Sequence, residues 1–187
     1  VYERPEAESL AAQKGWAIAT DGPKWRRVVP SPLPTEILEM GVIELLVRQG
    51  VIVICAGGGG IPVVEIADGG HVGIEAVIDK DFAGALLATL LHADAFLMLT
   101  DVDAAYEGFG TPDARPIHEA TTDELARMEF AAGSMGPKVQ AACRFVRNNG
   151  GFAAIGSLAD AARLLRREAG TTVVAPALVA ATMPACC

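Results

Sequence analysis

The stretch Val51-Ile52-Val53-Ile54-Cys55 runs straight into Ala56-Gly57-Gly58-Gly59-Gly60, and no other feature constrains the fold as much. Five consecutive apolar residues, four of them β-branched, predict a strand buried on both faces, since a half-buried strand would alternate apolar with polar. Such strands belong to sheets covered by helices on both sides. Further apolar strand runs are Ala95 to Leu99, Phe152 to Ile155 and Thr171 to Val174. Between them, apolar residues recur at helical spacing: Leu38, Val42, Leu45 and Leu46, then Phe82, Ala85, Leu86 and Leu90, then Val139, Ala142, Cys143 and Val146. Leu158 to Arg167 reads as a last helix. The predicted class is α/β, a three-layer α/β/α sandwich.

Smaller units flank this pattern. Pro5 to Lys14 reads as a short helix, and Trp16 to Thr20 and Lys24 to Val29 as strands joined by Asp21-Gly22-Pro23. The run Pro30-Ser31-Pro32-Leu33-Pro34 is rigid and extended, a link between subdomains. Val63 to Ile66 and Gly73 to Val77 read as a hairpin around Asp68-Gly69-Gly70. The organisation expected is a protruding subdomain and link over 1–34, a nucleotide-binding α/β part over 35–174, and a disordered tail over 175–187.

With 51% hydrophobic residues in 187, the chain can bury a full core. Its formal charge of -8 repels nucleic-acid phosphate and anionic headgroups, so nucleic acid and membrane are not expected partners. The longest apolar run, Val51 to Val64, is interrupted by four glycines and a proline and cannot cross a bilayer as a helix. Cys55, Cys143, Cys186 and Cys187 do not form a secreted disulfide framework, which points to thiols in a cytoplasm. His71, His92 and His118 have no metal-ligand spacing, and no metal site is expected. The start Val1-Tyr2-Glu3, without Met or a signal-like region, suggests a piece from the middle of a longer protein.

Four segments could carry chemistry. Gly57, Gly58, Gly59 and Gly60 follow a strand, where loops at strand C-termini surround ligands and glycines let backbone N–H groups approach an anion; glycine is equally the residue of plain flexible turns. Asp79-Lys80-Asp81 opens a helix and reads either as a site or as an ordinary acidic N-terminus. Thr100-Asp101-Val102-Asp103 places polar groups just past a strand. Gly133-Ser134-Met135-Gly136-Pro137-Lys138 brings a lysine to a proline-set helix start, a geometry suited to phosphate. The phosphate-binding lysine loop, the dinucleotide glycine motif and the protein-kinase motifs are absent.

In this order the segments resemble the carbamate kinase branch of the amino acid kinase family, through Trp25-Arg26-Arg27-Val28-Val29-Pro30-Ser31-Pro32, Cys55 to Val64, Gly73 to Ala83, Thr100 to Tyr106 and Phe130 to Val139. The resemblance implies a mostly parallel sheet and reversible phosphoryl transfer between ATP and carbamate, with Mg²⁺, in a cytoplasmic homodimer serving arginine breakdown. It implies that Lys80 and Lys138 flank the transferring phosphoryl group while Asp81 holds both lysines. Gly57 to Gly60 would line the carbamoyl-phosphate side. Thr100, Asp101, Val102, Tyr106, Met135, Gly136, Pro137 and Lys138 would line the nucleotide. Trp16 and Trp25 would be structural parts of the protruding unit. Removing either lysine is expected to slow transfer with far less effect on folding.

The family's N-terminal part, with its own glycine loop and a further lysine, has no counterpart before Val1. Ala104-Ala105, Leu33 and a shorter stretch around Met128-Glu129-Phe130 also depart from the family pattern. The chain alone is therefore expected to bind ADP weakly and to lack turnover. The alternative expectation is a non-catalytic nucleotide-binding remnant.

Overall fold

Helix α1 (Arg4–Lys14) opens the computed structural model, which describes residues 1–176. Pro5 occupies the first turn, where a missing N–H costs nothing, and Gly15 ends the helix in the left-handed region at φ 66°. β1 (Ala17–Asp21) and β2 (Lys24–Val28) form an antiparallel hairpin, with Tyr2 bridged to Trp25. Lys14 and Arg27 each lie 4.7 Å from the Trp16 ring centroid, so the two tryptophans knit α1 to the hairpin. An Arg27–Glu75 ion pair and a 3.0 Å bond from the Val77 N–H to the Pro30 carbonyl join this unit to the rest.

The main sheet contains β5 (Ala95–Thr100), β8 (Glu119–Thr121), β9 (Phe152–Ser157) and β10 (Thr171–Val174), in the order β5-β9-β10-β8. β5 and β9 are parallel, with Ala95 opposite Phe152 and Thr100 opposite Ser157. β10 is antiparallel to β9 and parallel to β8. On one face lie α3 (Lys80–Leu90) and α5 (Met135–Asn149), whose Ala85, Val139 and Val146 pack with Phe145, Leu125, Ile155 and Val173. Side chains alternate along a strand, so Gly156 faces the other way, against Leu164 of α6 (Ala161–Leu165). The three layers follow from that alternation.

The remaining elements are α2 (Met40–Arg48), the hairpin β3 (Val63–Glu65) and β4 (His71–Gly73), the hairpin β6 (Ala105–Glu107) and β7 (Arg115–Ile117), and α4 (Thr122–Leu125). No helix among the described residues is long and apolar enough to cross a membrane.

Three expectations change. Val51 to Cys55 is not a strand: Ile52 is 92% and Ile54 96% exposed, and no described strand pairs with the segment. A parallel strand exists through ladder bonds to a neighbour, and apolar character alone cannot supply them. Leu38, in the turn before α2, and Val42 and Leu45 within it are exposed too, so this side of the molecule presents a series of apolar residues. The hairpin after Val63 turns early, because the Ile66 N–H bonds the Gly70 carbonyl and pairing resumes at His71 rather than Gly73. Leu158 to Arg167 breaks into a 3₁₀ turn (Leu158–Asp160), capped by Ser157, and the short α6. The expected tail lies outside the described residues from 177 onward.

Candidate active site

Connectivity brings the starts of two helices to one edge of the sheet. α3 leads through His92 into β5, and α5 leads through Gly150 and Gly151 into β9. Each helix therefore runs back along the strand that follows it. With β5 and β9 parallel, the N-termini of α3 and α5 both stand at the strands' carboxyl edge, where open α/β sheets bind ligands. Lys80, Asp81, Lys138 and the segment from Thr100 to Tyr106 all converge on that edge.

Asp79 caps α3, its Oδ1 accepting the Asp81 N–H at 2.7 Å. Asp81 itself reaches across to α5, where Lys138 Nζ donates to Oδ1 at 3.0 Å and to Oδ2 at 2.9 Å. The two side chains are only 13% and 10% exposed, so this pair is shielded from water. The lysine arrives there because of its local sequence. The Gly136 N–H bonds the Ala131 carbonyl at 2.9 Å, and a Cβ on Gly136 would stand 3.0 Å from that oxygen, which makes glycine the residue that fits. Pro137 follows within the first turn, where its N–H is not needed, and Lys138 comes next. No side chain caps α5 and no acid lies in its first turn, so its first-turn amides and Lys138 form a positive cradle.

Asp81 does not hold both lysines. Lys80 is exposed and, among the described residues, forms no ion pair with a carboxylate. Adjacent helix positions point about 100° apart, so with Asp81 turned toward α5, Lys80 leaves the helix in a different direction. Asp81 holds Lys138, and Lys80 is left facing solvent at the same edge.

The glycine run forms a tight loop in which the Gly59 N–H bonds the Ala56 carbonyl at 2.7 Å. Gly59 has φ 123°, and a Cβ there would fall 1.9 Å from the Ile78 carbonyl oxygen, so the loop presses directly on the residue before the α3 cap. Around Gly57, Gly58 and Gly60 there is open space. All four line a groove of about 1220 Å³ with Pro32, His71 and Ile78, a groove whose wall includes neither lysine.

On the other side, Thr100 ends β5 and its hydroxyl donates to Asp101 at 3.0 Å. Asp101 is exposed, and Val102, Met135 and Pro137 are half-buried. Tyr106 donates its hydroxyl to both Asp103 oxygens, at 3.0 and 3.2 Å, and that bond holds its proton above the usual tyrosine range. Its ring meets Phe109 edge-on at 6.1 Å. The sequence placed Asp103 in the polar segment after β5 but gave no sign that it accepts the Tyr106 hydroxyl. Sequence reading also passed over the capping box of Thr121 and Glu124, whose T-x-x-E spacing announces α4.

Residues 6–157 match the family model described as the amino acid kinase family. The chain belongs to the amino acid kinase family. Within this family it is similar to the carbamate kinase of Haemophilus influenzae, 49% identical over 173 residues that make up 92% of this chain and 56% of that protein. It is 48% identical to the carbamate kinase of Rhizobium meliloti over 92% of this chain and 54% of that one. The carbamate kinase of Giardia lamblia, solved bound to AMP-PNP, superposes with a TM-score of 0.83 at 42% identity, over 94% of this amino acid kinase chain and 57% of the Giardia one. The chain thus spans just over half the length of these relatives.

Proposed function

We propose that this chain is the nucleotide-binding part of a carbamate kinase, which transfers a phosphoryl group reversibly between ATP and carbamate. The observation that carries this reading is identity near one half to carbamate kinases over 92% of the chain. The geometry supports it. Phosphoryl transfer asks a protein for positioning and for cations against the phosphoryl oxygens, and the carboxyl edge offers two lysines held differently. Lys138 is fixed by Asp81 and backed by the first-turn amides of α5. Lys80, exposed on α3, is free of that clamp and can follow the phosphoryl group as charge moves. Thr100, Asp101, Val102, Tyr106, Met135, Gly136 and Pro137 line the nucleotide in this reading, and AMP-PNP in the Giardia relative is a nucleotide of that shape. The groove at Gly57 to Gly60 takes the carbamoyl-phosphate side.

Mg²⁺ enters with the nucleotide as part of the substrate. Among the described residues no three His, Cys, Asp or Glu side chains converge as a cage, and Mg²⁺ is characteristically held by phosphates, water and one or two carboxylates. The protein works in this proposal as a cytoplasmic homodimer at the end of arginine breakdown, in keeping with the resemblance and with unpaired Cys55 and Cys143.

The test is formation of ATP from carbamoyl phosphate and MgADP by a polypeptide that restores the relatives' full length around this chain. Turnover that falls roughly 10²-fold or more in Lys80→Ala supports the reading. Transfer to another acid acceptor, with none from carbamoyl phosphate, overturns it. The second reading, a nucleotide-binding remnant without turnover, is separated from the first by the same assay. ADP binding without ATP formation in the restored polypeptide is its signature.

A further inference from the structure

The segment carrying Tyr106 leaves the main sheet at Thr100, and β6 pairs with β7 rather than with that sheet, so something else must hold it in place. Thr171, the first residue of β10, is fully buried. Its hydroxyl accepts the Ala105 N–H at 2.8 Å and donates to the Ile117 carbonyl. Ala105 and Ile117 are the opposed pair at one end of the β6–β7 ladder, so one hydroxyl ties both strands of the hairpin to β10, at the residue next to Tyr106. Ala105 is itself 0% exposed, and water cannot replace the lost acceptor without opening the hairpin. From β9, Gly156 completes the seat: a Cβ there would stand 2.9 Å from the Asp103 carbonyl oxygen, so the segment lies flat against the sheet only over glycine.

We infer that Thr171 is a positioning residue for nucleotide binding: its hydroxyl fixes the β6–β7 hairpin on the sheet and thereby sets where Tyr106 and Asp103 stand. This rests on the reading in which Thr100 to Tyr106 line the nucleotide. Thr171 lies beyond residues 6–157 that match the family model, in a strand with no part in the lysine pair. Its effect falls on nucleotide affinity and leaves the lysines where they are.

The experiment is amide hydrogen exchange on the 187-residue chain as wild type, Thr171→Val and Thr171→Ser, with MgADP affinity measured on the same samples by titration. Valine keeps the shape and loses the hydroxyl; serine keeps the hydroxyl. In Thr171→Val, exchange from Ala105 to Glu107 should rise roughly tenfold or more while Ile155 and Val173 keep their protection. ADP affinity should fall by a similar factor, and Thr171→Ser should restore both. Unchanged exchange at Ala105, or protection lost throughout β9 and β10, overturns the inference. Equal ADP affinity in the valine and serine variants also overturns it, while leaving the nucleotide reading intact. If MgADP perturbs nothing from Thr100 to Tyr106 in the wild type, that reading fails and the claim about affinity falls with it, whatever the exchange at Ala105.

Discussion

Replacing Lys138 with Met should destabilise the chain as well as disarm the site. Methionine keeps much of the apolar stem and removes the ammonium, so the Asp81 carboxylate, with only 10% of its side chain exposed, loses the partner that bonds both its oxygens. Breaking a buried pair on one side costs about 3–5 kcal/mol, and the residual exposure of both groups favours the lower end. For a chain of this size each kcal/mol moves Tm by about 2–4 °C, so a loss of about 3 kcal/mol lowers it by about 6–12 °C. The double variant Asp81→Asn with Lys138→Met replaces the stranded charge with a neutral amide and should recover most of the loss. Lys80→Met, at an exposed position, should stay within about 0.5 kcal/mol of wild type. Thermal and urea unfolding of the four proteins reads all of this. A Lys138→Met chain as stable as wild type, or a double variant no better than the single, would mean that the pair does not hold α3 and α5 together.

Three further outcomes are expected. Gly59→Ala, forced to adopt φ 123° with its Cβ against the Ile78 oxygen, should lose about 1–3 kcal/mol in urea unfolding, whereas Gly58→Ala, with open space around it, should lose much less; equal losses would contradict the loop geometry. The wild-type chain should self-associate in sedimentation velocity, and Ile52→Asp with Ile54→Asp should reduce that association; a monodisperse wild-type monomer would contradict it. The Thr121 N–H and hydroxyl hold the Glu124 carboxyl below its ordinary 4.5, so its capping of α4 is fully present above that value and is lost as pH falls through the lower folded value. Amide protection in α4 should therefore drop only on acidification below the ordinary glutamate range in the wild type, and Glu124→Gln should abolish that pH dependence, whereas an identical profile in both would rule the cap out.

The main sheet was legible because β5 and β9 open on unbroken apolar runs and β10 is wholly β-branched, and α3 and α5 because apolar residues repeat at helical spacing. The same signal misled at Val51 to Cys55. A run of β-branched residues states that burial is wanted, but the ladder that provides it depends on a neighbouring strand, and none of the described strands takes that place. The segment from Ala104 to Phe130 was left without elements because β6, β7, β8 and α4 have three or four residues each, too short to establish a period. Within the site, the resemblance located Lys80, Asp81 and Lys138, while helix geometry decided that Asp81 faces Lys138 alone. The burial of Lys138 beside Asp81, on which the stability prediction for Lys138→Met rests, could not be read from a one-dimensional string. Thr171 was invisible because a threonine in an apolar strand is ordinary, and its partners lie 66 and 54 positions away.

In the proposed reading, one carboxyl edge of this sheet holds the nucleotide with its terminal phosphate between Lys80 and Lys138. Titrating MgADP into the isotope-labelled chain and following its amide resonances reads that placement residue by residue. Shifts should concentrate at Thr100 to Tyr106, at Met135 to Lys138 and at Lys80, and should weaken in Lys138→Ala while that chain remains folded. Shifts confined to the groove around Pro32 and Gly57 to Gly60, with the starts of α3 and α5 undisturbed, would contradict it.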